Sequence, residues 1–142
     1  MNIIDLLKDN TDYQNDQDKL NAIVAGHILA KQTTQTVFTS ALTPGVDFVS
    51  GTVYNNIGSS GTLVVTLPAV ATQKGKYMMI FIGVAQVVRP TPASGEKIYL
   101  FGSGAASKYL NIAAVIGNYA ALYCDGTAWF VMETNGVVTK EA

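Results

Sequence analysis

From Thr36 onward the apolar and polar positions alternate in short runs, the period-two signature of strands with one face covered. Val37-Phe38-Thr39, Asp47-Phe48-Val49 and Thr52-Val53-Tyr54-Asn55 are short extended segments set around the Thr43-Pro44-Gly45 turn. Further strands are predicted over 62–67, 77–83, 86–89, 97–101 and 109–115. Pro68 has no amide hydrogen and should close the first of these. A final hairpin is predicted from 118–125 and 128–133, joined through Asp125-Gly126, the dipeptide that most readily takes the positive φ angles of a tight turn. The glycine-rich segment 102–107 reads as a turn.

The start of the chain follows another rule. Ile3, Ile4, Leu6 and Leu7 form an apolar cluster, and after a polar stretch Leu20, Ile23, Val24, His27 and Ile28 recur at i, i+3, i+4, i+7 and i+8. This spacing predicts one helix over 16–31, capped by Asn15 or Asp16 and ended by the threonine-rich run after Lys31. The chain therefore reads as an arm, 1–35, and a β domain, 36–142. A stripe this narrow gains little alone in water, so it is expected to lie on the β domain, on other copies, or on a partner.

Strands at roughly ten-residue spacing with Gly, Pro and Asn turns predict an all-β fold, an antiparallel β-sandwich of jelly-roll-like form with a short N-terminal helical arm. A parallel α/β fold would need helical segments between the strands. No fixed-period repeat and no heptad run occurs.

Composition narrows the partners. Charged residues make up 13% of the chain against 49% hydrophobic, with a net charge of −1; this lacks the basic excess that nucleic-acid binding shows. So sparse a charge fits either a large apolar core or a surface covered by another subunit. Five of the seven aspartates fall at Asp5, Asp9, Asp12, Asp16 and Asp18, the reverse of a basic secretory start, so synthesis and retention in a cytoplasm are expected. No apolar run is long enough for a membrane helix.

Candidate chemistry is sparse. Cys124 is the single cysteine and His27 the single histidine, which leaves neither a thiolate cluster nor a His-rich metal site. His27 reads as a buried or subunit-facing residue of the helix. The aspartates near the start lack the Gly and terminal Glu of a calcium loop. Paired acids for glycoside cleavage would have to come from Asp47, Glu96, Asp125, Glu133 and Glu141, with Asp47 and Glu96 the pair a fold could bring together. No cofactor, metal or catalytic residue is assigned. Tyr119, Tyr123 and Trp129 are a candidate platform for stacking a ligand such as a sugar, with core packing as the competing reading.

One resemblance runs through the order of these segments. Gly61-Thr-Leu-Val-Val-Thr-Leu-Pro68, Gly75-Lys-Tyr77, Val88-Arg-Pro90, Glu96-Lys-Ile98, then Asp125-Gly-Thr-Ala-Trp129 and Gly136 resemble small virion proteins of tailed bacteriophages, the head decoration (cement) proteins and the tips of tail fibres. The likeness covers about 51–138. It implies trimeric β-sandwiches without enzymatic activity that bridge major capsid subunits on the assembled head, and the start at Met1 fits a decoration protein better than a fibre tip. Partners implied are the major capsid protein and further copies of the chain, with no nucleic acid and no membrane. In this reading Ile3, Ile4, Leu6, Leu7, Leu20, Ile23, Val24, His27 and Ile28 supply contacts to the shell or to neighbouring protomers. The alternative is a tail-fibre module that binds cell-surface glycan through Tyr119, Tyr123 and Trp129.

Overall fold

The computed structural model describes residues 35–142. The expected helix over 16–31 and the arm residues Ile3 to Ile28 lie outside the described residues. The strands are β1 (Gln35–Val37), β2 (Thr52–Asn55), β3 (Leu63–Thr66), β4 (Tyr77–Phe81), β5 (Val88–Thr91), β6 (Lys97–Leu100), β7 (Ser103–Ala106), β8 (Leu110–Ile112), β9 (Tyr119–Cys124), β10 (Trp129–Asn135) and β11 (Val138–Lys140), with one 3-10 turn at Val70–Thr72. They form a seven-stranded sheet in the order β1-β2-β4-β9-β10-β6-β7 and a four-stranded sheet in the order β11-β8-β5-β3.

The described region is all-β, as its period-two pattern predicts, but both sheets are mixed. The pairs β1/β2, β2/β4, β3/β5 and β6/β10 are parallel, against the wholly antiparallel expectation. The cause lies in the connections. Strands β2 and β4 belong to the large sheet, β3 and β5 to the small one. From β2 to β5 the chain thus changes sheet at each turn, so that β4 comes to lie beside β2, and β5 beside β3, pointing the same way. A hairpin rule reads only strands that turn back within one sheet.

Three local expectations change. Asp47-Phe48-Val49 is not a strand: Phe48 N–H donates to Gly45 O at 3.1 Å in a turn, and the Phe48 ring lies 6.5 Å from that of Trp129. Residues 102–107 hold β7, which pairs with β6. The strand expected over 109–115 is confined to Leu110–Ile112.

Alternation gives each sheet one covered face. In β9 the side chains of Ala120, Leu122 and Cys124 are buried, while Tyr119, Ala121 and Tyr123 face the other way. One core cluster joins Met78, Ile80, Leu122 and Trp129 of the large sheet to Val65, Val88, Leu110 and Ile112 of the small one. Trp129 is its largest fully buried side chain, and its Nε1–H donates to Pro68 O at 3.3 Å. That bond ties β10 to the segment leaving β3. Burial pushes the Cys124 thiol above its ordinary range, which keeps it protonated and unreactive.

Turn chemistry fixes the ends. Cys124 pairs with Trp129, so the last hairpin has a four-residue loop rather than the expected two-residue turn. Asp125 Oδ1 accepts from Thr127 N–H at 2.7 Å, Thr127 Oγ1–H at 2.7 Å and Ala128 N–H at 2.9 Å. These bonds, led by the Thr127 hydroxyl, hold its carboxyl below the usual carboxylate range. Only Gly126 takes a positive φ in this loop, at 96°. At the opposite end, Asn56 is fully buried and serves loop 83–86 from both ends of its amide. Its Oδ1 accepts from Gly83 and Val84 N–H at 2.8 and 3.1 Å, and its Nδ2 donates to Val84 and Gln86 O at 3.1 and 3.3 Å.

Pro90 sits within β5, between β8 and β3, a place proline usually avoids. Leu63 and Leu67 N–H donate to Val87 and Thr91 O, so the odd residues of β5 serve β3. Pro90 N therefore faces the β8 side, where the pairing is limited to Val88 with Ile112. No ladder bond is lost there.

Candidate functional site

The outward face of the large sheet gathers aromatic side chains from four strands. Across the register Tyr77 of β4 pairs with Tyr123 of β9, Tyr123 with Phe130 of β10, Phe130 with Tyr99 of β6, and Tyr99 with Gly104 of β7. At the ordinary strand spacing this row of four rings extends roughly 14 Å. Phe130 and Tyr99 stack with centroids 5.1 Å apart and planes 11° from parallel, within the range of favourable aromatic pairs. Gly104 is needed beside them, because a Cβ there would lie 2.5 Å from Tyr99 Cε1. Four residues along the strands, on the same face, Phe81 pairs with Tyr119. No described strand or loop fully covers the row, and Tyr77 is 47% exposed.

Polar groups edge this face. Tyr119 Oη–H donates to Glu133 Oε1 at 2.6 Å. That bond, with smaller contributions from burial and the Glu133 charge, raises the Tyr119 phenol above its ordinary value. A raised tyrosine favours the neutral form in the fold, so the stability it lends is complete below the unfolded value near ~10 and is lost as pH rises through the higher folded value. Absorbance titration should therefore show two late-ionising phenols, Tyr119 and the buried Tyr54, and Glu133→Ala, which removes the acceptor, should bring Tyr119 alone down. An unchanged titration in that variant would exclude the bond as the cause.

A hollow of about 520 Å³ opens between Glu96, Lys97, Tyr99, Thr127, Ala128 and Phe130. Its carboxylate is partly engaged in structure, since Glu96 Oε1 accepts from Val70 N–H at 3.0 Å, while Oε2 is buried without a partner. Among the described residues no group of three His, Cys, Asp or Glu could hold a metal ion.

The structure separates the residues of the expected platform. Tyr119 and Tyr123 share the outward face of β9, as the alternation predicts, but Trp129 lies in the core with 0% exposure. Trp129 takes the opposite side because β10 pairs it with the buried Cys124. Its place in the outward row belongs to its neighbour Phe130. Sequence reading missed Tyr77, Tyr99 and Phe130 as one group: each lies in a segment predicted to be extended, but only the register between distant strands aligns them. Arg89, the single guanidinium, is occupied within the fold, stacked 4.9 Å over the Tyr109 ring with Nε–H donating to Asn111 Oδ1 at 3.3 Å.

Compared with known proteins, the chain matches no protein-family model and no curated sequence.

Proposed function

We propose that this chain is a non-enzymatic virion structural protein, a cement protein that binds the assembled head of a tailed bacteriophage and stabilises it by bridging major capsid subunits. The observation that carries the reading is the partly exposed row Tyr77, Tyr123, Phe130 and Tyr99 on the large sheet. Aromatic side chains fixed in a rigid, sparsely charged face are what adhesive protein surfaces are built from. The resemblance of the order of its sequence motifs, from Gly61 to Gly136, to that of phage decoration proteins supports the same reading. In it the two sheets are the layers of a sandwich, jelly-roll-like in form, and the chain works as a homotrimer on the head surface. Binding the assembled lattice in preference to free subunits stabilises that lattice by mass action.

The rings bear on the alternative of a glycan-binding fibre tip. Phe130 and Tyr99 spend their faces on each other, and Trp129 is withdrawn into the core, which favours adhesion to protein over stacking of sugar rings. Two variants of the full-length chain test the proposal by co-sedimentation with expanded phage heads. Placing charge in the row with Tyr77→Asp and Tyr123→Asp should weaken binding at least tenfold with the circular dichroism unchanged. Removing residues 1–31 should abolish it, if the arm supplies the remaining contacts. Undiminished binding by both would overturn the reading, and glycan-array binding lost in the tyrosine variants would replace it with the fibre-tip function.

A further inference from the structure

The turn between β6 and β7 carries a side chain at odds with its backbone. Leu100 pairs with Ser103, leaving Phe101 and Gly102 as the loop, with φ angles of 49° and 82°. Hairpins with two left-handed positions favour Asn, Asp or Gly, because a Cβ crowds the neighbouring carbonyl there. A bulky aromatic at such a position is an outlier. Phe101 is also 83% exposed, so its ring gains almost nothing from the core of its own protomer. Backbone preference and solvation both argue for a small polar residue. A ring that is unfavourable on both counts in a lone chain makes sense once another molecule covers it.

The opposite edge of the same sheet offers a place for it. The large sheet ends in β7 on one side and in β1, followed inward by β2 and β4, on the other. At that end, on the outward face across β1, β2 and β4, lies a hollow of about 320 Å³ lined by Gln35, Val53, Asn55 and Phe81. Two walls are apolar, two are side-chain amides, and none is charged, so an aromatic ring enters without stripping water from an ion.

Projection and hollow stand at the same height along the strands. Val53 pairs with Met79, Met79 with Ala121, and Ala121 with Glu133. Because β6 runs parallel to β10 with Tyr99 beside Phe130, Phe101 falls two residues further along, level with the Met132–Glu133 bulge. Head-to-tail contacts close into a ring when the rotation between copies carries no rise, and otherwise climb into a filament. The register itself introduces no offset between projection and hollow along the strands, which is the arrangement a ring needs.

We propose that Phe101 of one copy seats in the Val53–Phe81 hollow of the next, joining copies of this chain edge to edge in a closed ring. The contact rests on the self-association in the function proposed above, and not on what the ring then binds.

Sedimentation equilibrium of the full-length chain tests it. Wild-type protein should run at a small multiple of the 15.1 kDa chain mass. Phe101→Asn, which suits the left-handed backbone better, should fall to the single-chain mass while keeping its circular dichroism and cooperative unfolding. Val53→Lys should do the same, with Phe81→Glu as the second hollow variant should the first not fold. An equimolar mixture of the Phe101 and hollow variants should form a one-to-one pair of twice the chain mass, since each retains one intact surface. A monomeric wild type, an unchanged mass for Phe101→Asn, or a mixture that stays monomeric would overturn the proposal. A ring that persists in a protein unable to bind phage heads would leave this contact standing and fell the cement function alone.

Discussion

Trp129→Ala is expected to destabilise the fold by about 3–5 kcal/mol, the usual cost of emptying a large aromatic site in a packed core. The side chain is fully buried, is the largest in the core cluster, and has Phe48 6.5 Å away across the turn that follows β1. Its indole N–H also bonds Pro68 O, so truncation opens a cavity and leaves a backbone carbonyl without its donor. Since small domains hold only about 5–15 kcal/mol in total, the variant should unfold at a much lower urea concentration, read by circular dichroism because the fluorophore has gone. Trp129→Phe separates the two causes. It refills most of the volume but cannot donate to Pro68, so a loss nearer 1–3 kcal/mol is expected. Were Trp129→Ala to cost under about 1 kcal/mol, the residue would belong on the surface and the original platform reading would return.

The second large effect is expected at Asn56→Ala. One buried amide satisfies four backbone groups of loop 83–86, two donors and two acceptors. Each buried polar group left without a partner costs about 1–3 kcal/mol. Water should reach part of a loop this close to the surface, so a total loss of about 3 kcal/mol is expected. Hydrogen exchange supplies the local check. The amides of Gly83 and Val84 should lose protection out of proportion to that of the β9–β10 ladder, because the loop opens before the sheet does. Uniform loss across all strands would mean that Asn56 acts through general packing and not as a bracket.

The sequence discloses this fold unevenly, and the reasons are physical. Period-two alternation marks Thr52–Asn55, Leu63–Thr66 and Tyr119–Cys124 well, because a strand with one face in the core writes that burial directly into its residue order. Ser103–Ala106 was hidden: Ser-Gly-Ala-Ala has neither bulk nor branching, and it is a strand because β6 offers it hydrogen bonds and Gly104 leaves room for Tyr99. The parallel pairs were hidden more deeply, since strand direction depends on which sheet the chain enters next. For the candidate site, Tyr119 and Tyr123 are legible as one face by alternation alone. The row they join is not, because Tyr77, Phe130 and Tyr99 come from three further strands, and only pairing between segments distant in sequence brings them level. Phe101 was legible as a residue but not as an anomaly, since nothing short of a backbone angle reveals a phenylalanine in a glycine's conformation.

The shuttling of β2, β3, β4 and β5 between the two sheets also constrains how the molecule is made. Over this stretch neither layer can be completed before the other, because successive strands belong to different sheets and no adjacent pair among the four can zip together as a local hairpin, unlike β6–β7 and β9–β10. The decisive encounters join residues far apart in sequence, and their loop-closure entropy is spent before any reward arrives. Assembly of the body should accordingly be slow, in milliseconds to seconds, and all-or-none, with no half-built layer stable enough to accumulate.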